Sequence, residues 1–195
     1  MNDIVTDNVT DKRNAVGRRA VSGPRALALA AAIASLAALT VGCSDVKELD
    51  YTPVRMDPDP ARTKAREVSS RLLELTGVKG KVTEPGPSVS RCSEYGEDLF
   101  STSHPWSVYA LTDAQVDSGM QNLRTKLGEH GWKITKDGKA NSQAQDPEIY
   151  AENKTEQFAV HVVAMKDGGN QTMLNFKVVS ACYRAASAAA LDGEY

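Results

Sequence analysis

The sequence predicts an α+β fold: two amphipathic helices packed on one face of a mostly antiparallel sheet, preceded by a cleaved signal peptide and a flexible tether. Three observations predict it. Ala61, Ala65, Val68, Leu72 and Leu75 recur at helical spacing, and Val116, Met120, Leu123 and Leu127 do so again. Two late segments, Gln157–Met165 and Thr172–Tyr183, alternate apolar and polar residues with the period of a strand. Between them, Asp167-Gly168-Gly169-Asn170 has the composition of a hairpin turn.

In chain order, the first feature is not part of that fold. Residues 12–25 carry Lys12, Arg13, Arg18, Arg19 and Arg25, and Ala26–Val41 follows as sixteen uncharged residues. A basic run, a short apolar run and a small residue before a cysteine make a signal peptide. The apolar run is shorter than the about 20 residues that span a bilayer comfortably. The end of the run, Leu39-Thr40-Val41-Gly42-Cys43, resembles the lipobox of bacterial lipoproteins, with Thr40 where leucine is commonest. The resemblance implies removal of residues 1–42 and lipidation of Cys43. An uncleaved anchor is the alternative. Two acyl chains on one sulfur hold a protein stably, because each buried methylene contributes about 0.8 kcal/mol. Export by the general secretory route is expected. Arg18-Arg19 also resembles a twin-arginine signal, although Ala20-Val21 lacks the bulky residue that usually follows the pair.

Residues 43–58 are then the lipidated cysteine and a tether of mixed charge and proline, long enough for a reach of about 20 Å. The domain is expected over 59–183. Asp59 is a suitable cap and Pro60 a suitable first residue for a helix over 60–76, which Gly77 ends. Val78–Ser103 is broken by Gly80, Pro85, Gly86 and Pro87, with short strands at Lys81–Thr83 and Val89–Cys92. Trp106–Leu111 reads as a strand. Thr112 and Gln115 form a capping box that opens the second helix, and Gly131 closes it. Strands at Trp132–Lys136 and Glu148–Asn153 follow, around a polar loop at Asp137–Pro147. The two alternating strands come last. Asn175, Lys177 and His161 fall on the sheet face turned away from the helices. Residues 184–195 have little to bury and are expected to fray.

The cysteines are Cys43, Cys92 and Cys182. With Cys43 lipidated, two remain in an exported chain, and a structural disulfide between Cys92 and Cys182 is the expected use. Closing a loop of about 90 residues contributes about 4.5 kcal/mol in the chain-entropy picture. It would hold the irregular Val78–Ser103 segment on the sheet. A metal pair or a redox pair are the alternatives, and neither has CxxC spacing or a histidine close in sequence.

The lipobox, the tether, the helix Ala61–Leu75, the loop bearing Cys92, the strand and capped helix of Trp106–Gly131 and the hairpin Phe158–Cys182 form an outline. That outline resembles the mycobacterial LppA-type lipoproteins and similar small actinobacterial lipoproteins. It covers most of residues 59–183, through an order of elements and not through a signature string. The resemblance implies a domain anchored on the outer face of the plasma membrane. It carries over no catalytic residue.

Composition and motifs narrow the function without fixing it. The chain has 23 Lys and Arg against 25 Asp and Glu. The part after residue 42 is mildly acidic and has no basic stripe, so no nucleic-acid partner is expected. The motifs GxSxG, HExxH, GxGxxG and the P-loop are absent, and three scattered histidines make no zinc pattern. No metal and no cofactor are expected. Candidate ligand-binding residues are Glu94, in the acidic loop Cys92–Asp98, and His104 and Trp106, a histidine beside an aromatic that could form a ligand wall. His130 at a helix end and His161 on a strand read as structural or surface residues. The expected function is a membrane-anchored, non-catalytic binding or interaction module, with an envelope protein as its possible partner. A hydrolase with an unrecognised site is the alternative.

Overall fold

The computed structural model describes residues 47–83, 85–166 and 172–193. The signal segment, Cys43 and the Asp167–Asn170 turn lie outside the described residues.

The described chain is an α+β fold with two helices on one face of an eight-stranded sheet. Helix α1 spans Pro58–Thr76, and α2 spans Asp113–Lys126. The strands are β1 (Lys81–Val82), β2 (Ser88–Arg91), β3 (Leu99–Tyr109), β4 (Lys133–Lys139), β5 (Pro147–Asn153), β6 (Phe158–Met165), β7 (Met173–Ser180) and β8 (Tyr183–Arg184). The main order across the sheet is β1-β3-β7-β6-β5-β4, and β2 and β8 pair elsewhere along β3. Every pairing between these strands is antiparallel.

The helices form where the apolar stripes were read. Ala61, Ala65, Val68, Leu72 and Leu75 are all buried. The start of α1 is two residues earlier than expected: Asp57, not Asp59, is the cap, and Pro58 is the first helical residue. Both prolines fit, because first-turn residues need no intrahelical N–H bond. In α2 the capping box is complete. Thr112 accepts from the Gln115 amide, and the Gln115 side chain accepts from the Thr112 amide. Gly119 lets α2 sit close on β7: a Cβ there would stand 2.7 Å from Leu174 Cδ1. The main core lies between α1, α2 and strands β3, β5, β6 and β7, with Trp106 stacked on Phe176 at 4.0 Å between ring centres.

Four expectations need correction. First, β3 begins at Leu99, seven residues before the expected strand at Trp106. Thr102 and His104 point to the core, while Ser101 and Ser103 point away, so apolar alternation is missing. Pro105 is tolerated inside this strand. Ser107 turns its N–H and C=O outward, to Thr83. By the two-residue period, Pro105 turns its nitrogen to the same side. That side is uncovered there, since β2 pairs only as far as Ser103 and β1 starts at Val108.

Second, the tail does not fray at Arg184. Arg184 belongs to β8, Ala185 donates to the Asp98 carbonyl, and a short 3-10 turn runs Ala188–Leu191. Leu191 joins a second small core with Ala61, Phe100, Tyr183 and Ala185. Third, Lys47–Asp57 lies along the domain instead of standing clear of it. The Met56 amide donates to the Arg184 carbonyl, the Arg184 amide to the Val54 carbonyl, and the Cys182 amide to the Tyr51 hydroxyl. Fourth, Cys182 is not on the last long strand. It sits in the break between β7 and β8, where it is bonded to Cys92 with 6.4 Å between Cα atoms. The bond ties the loop after β2 to that break.

Candidate functional site

The uncovered stretch of β3 opens a cleft. Between β1 and β2 the chain leaves the sheet at Thr83 and returns at Ser88. The Pro85 carbonyl meets His104 of β3, and Gly86 lies beside Arg62 and Arg66 of α1. A cleft of about 300 Å³ remains, lined among others by Arg66, Ser70 and Leu73 of α1, Val82 of β1, and His104 and Trp106 of β3. Ligand sites of small molecules start at about this size and are mostly apolar with a few placed polar groups.

His104 is the polar centre of one wall. It is buried on the core side of β3. Its Nε2 lies 2.9 Å from the Pro85 carbonyl, and its Nδ1 lies 2.8 Å from the Ser69 hydroxyl. A carbonyl only accepts, so Nε2 carries the proton of the neutral ring and Nδ1 accepts from Ser69. Burial pushes the His104 pKa below its ordinary value, and nearby Arg66 adds to that, outweighing the carbonyl contacts that favour the cation. The neutral ring is therefore the form at neutral pH. On protonation Nδ1 becomes a donor, and Ser69 turns its hydroxyl proton to the Ala65 carbonyl 2.9 Å away.

Trp106 forms another part of the wall. It is 4 % exposed, and its Nε1–H has no acceptor among the described residues. A buried donor left unpaired costs about 1–3 kcal/mol. The guanidinium of Arg66 has no carboxylate partner among the described residues either. It lies at the mouth of the cleft near Gly86, beside Arg62, which is bound to the Pro87 carbonyl.

Two of the three candidates from sequence thus meet in one site, His104 and Trp106. Glu94 does not join them. It is on the surface and pairs with Lys47 at 2.7 Å. Its acidic neighbours do not converge with it: Asp98 pairs with Arg184 instead. Among the described residues no group of three or more His, Cys, Asp or Glu is placed to hold a metal ion. Sequence reasoning missed Ser69. The signal was present: Ser69 falls four residues after Ala65 and three before Leu72, inside the buried stripe of α1.

A second cluster lies on the far face of the sheet, where Asn175 and Lys177 are exposed and His161 is half-buried. Glu148 accepts from Lys136 at 2.5 Å and contacts His161 Nε2 at 2.7 Å, with its own side chain 3 % exposed. Tyr150 stacks on His161 at 4.0 Å. The Lys136 hydrogen bond, helped by His161 and opposed by desolvation, holds the Glu148 carboxyl below its ordinary range. The Glu148 carboxylate is answered by Lys136 and His161, which suits a structural cluster on an open sheet face. His130 lies in the short 3-10 turn after α2 and is exposed.

Comparison with known proteins adds no relative: no family model, no curated protein and no solved structure matches this chain.

Proposed function

We propose that this chain is a lipid-anchored, extracytoplasmic binding module that is not an enzyme, and that the cleft between α1 and β3 is its ligand site. The anchor part rests on the lipobox-like end of the apolar run at Cys43 and on the resemblance to the LppA-type lipoproteins. It puts the domain at the outer face of the plasma membrane. The observation that carries the binding part is the cleft itself, about 300 Å³ and largely apolar, with the Arg66 guanidinium, which has no carboxylate partner among the described residues, among its lining groups.

Native mass spectrometry of protein released gently from its own membrane tests this reading. The expected result is a small molecule that stays bound to the protein and is lost in Ser70→Trp. Ser70 is an exposed cleft residue, so a large ring there fills the site without entering the core. Bare protein in both spectra contradicts the proposal.

The alternative is an envelope hydrolase, and one observation favours it. Ser69, His104 and the Pro85 carbonyl form a chain in which a hydroxyl faces a neutral imidazole whose other nitrogen is fixed by an acceptor. Nucleophile, base and orienting group are arranged in that order in covalent hydrolases. A fluorophosphonate probe distinguishes the readings. Labelling of Ser69, abolished in His104→Gln, supports the hydrolase; an unlabelled protein supports the binding module.

A further inference from the structure

We infer that the end of the domain carrying Lys47, Leu49 and Tyr95 is the surface that faces the lipid bilayer, close to its headgroups. The inference rests on the lipid anchor at Cys43 proposed above and on the docking of the segment that follows it. The Lys47 amide donates to the Glu94 carbonyl, and the Lys47 ammonium meets the Glu94 carboxylate at 2.7 Å. Further along, the Cys182 amide donates to the Tyr51 hydroxyl, and Arg55 makes a parallel β-bridge with Arg184. The chain is thus held on the domain from Lys47 onward, and only residues 44–46 separate that point from Cys43.

Covalent geometry turns this into a distance. Four residue steps reach at most about 14 Å when fully extended. A domain of about 150 residues has a radius of gyration of about 15 Å. The tether is therefore shorter than the domain is wide, and the domain cannot turn its far end to the membrane. Strand β3 gives the scale. Lys47 and Leu99 line the same surface depression, and Tyr109 closes the strand about 33 Å further along.

The chemistry of this end fits a headgroup layer reached by a tether and not by an affinity of its own. Leu49, Pro53 and Tyr95 are half-buried and line the depression. A tyrosine suits a boundary with water on one side and apolar surface on the other. Lys47, Arg91 and Arg184 are each paired with a carboxylate, of Glu94, Asp192 and Asp98. Glu48, Asp50 and Glu97 add exposed negative charge. Such a surface does not draw anionic lipid as a basic cluster does. The acyl chains on Cys43 supply the attraction, and the short tether supplies the orientation.

The test uses lipidated protein taken from its membrane and placed in vesicles whose phosphatidylcholine carries a nitroxide on the headgroup. A cysteine is introduced by Glu48→Cys or by Lys79→Cys and labelled with a fluorophore, and both sites are exposed. With Cys92 bonded to Cys182 and Cys43 bearing lipid, the new thiol is the free one. Lys79 lies at the far end of β3, where Lys81 pairs with Tyr109. The label at residue 48 is expected to be quenched at least threefold more strongly than the label at residue 79. A long Gly-Ser spacer between Val46 and Lys47 is expected to bring the two close to equal. Equal quenching without the spacer overturns the orientation while the anchor stands. A difference that survives the spacer overturns the short tether as its cause. Labelled protein that stays off the vesicles overturns the anchor reading and this inference together.

Discussion

Ser69 on α1 and His104 on β3, both buried, are hydrogen-bonded across the two layers at 2.8 Å. The bond exists because β3 brings a histidine, not a hydrophobe, to its inward row at the place where its outer edge is bare. The same bare edge makes the cleft. The site is therefore a by-product of one irregularity in the sheet, the gap between β1 and β2.

Because burial lowers the His104 pKa, the unfolded chain binds the proton more readily than the folded one. Folding stability is then expected to fall as pH drops below the ordinary histidine value of 6.5 and to level off below the lowered folded value. Thermal melts from pH 7.5 to 5 should show this limb in the wild type and a flatter one in His104→Gln. Ser69→Ala leaves Nδ1 buried without a donor and should cost about 1–3 kcal/mol in urea unfolding at pH 7.5.

Glu148 has the opposite sign. Its carboxyl is held below the ordinary value of 4.5, chiefly by the Lys136 hydrogen bond. The stability it contributes is complete above that value and is lost as pH falls through the lower folded value. Glu148→Gln should flatten the acid limb below about pH 4.5 and leave the His104 limb unchanged. Melts of the two variants over both ranges check the assignment.

Replacing Cys92 and Cys182 together by serine should lower urea stability by about 2–5 kcal/mol, as for native bridges in small exported domains. The bridge holds the loop after β2 to the break between β7 and β8. Hydrogen exchange should therefore quicken first at the amide of residue 92, which donates to the Leu99 carbonyl, and in the short pairing of Leu99 and Phe100 with β8. A variant as stable as the wild type contradicts a structural role.

Leu191→Ala tests the unexpected docking of the tail. Leu191 is 7 % exposed against a small core that includes Phe100 and Tyr183. A loss of about 2–5 kcal/mol is expected for a buried leucine. A loss within experimental error, measured by urea unfolding, would return the tail to the frayed state that its composition suggests.

Legibility in the sequence followed chemical contrast. The capping box of Thr112 and Gln115 names a helix start by itself, and the alternation from Phe158 to Met165 names a strand. In β3, Ser101, Thr102, Ser103 and His104 are all polar, so inward and outward rows look alike and the strand reads as loop. The tail reads as unstructured because alanines bury little individually. Its single leucine finds a partner only after Phe100 and Tyr183 have been brought together by pairing of β3 with β8. His104 and Trp106 were visible as a histidine beside an aromatic, but not as one face of a strand. Ser69, 35 positions away, joins them only through packing of α1 on β3. The Glu148–His161 contact depends on the register between β5 and β6, which no local pattern encodes.

The anchor has its own test. Cys43→Ala should move the protein from the membrane fraction to the soluble one, because the lipid on that sulfur is the proposed attachment. Retention in the membrane would mean that Ala26–Val41 is an uncleaved anchor.

The most direct measurement is a crystal structure of the protein purified from its own membrane without unfolding, read at the α1–β3 cleft. The account predicts a bound organic molecule there, seated against Leu73, Val82 and the ring of Trp106. A cleft holding only water would contradict it.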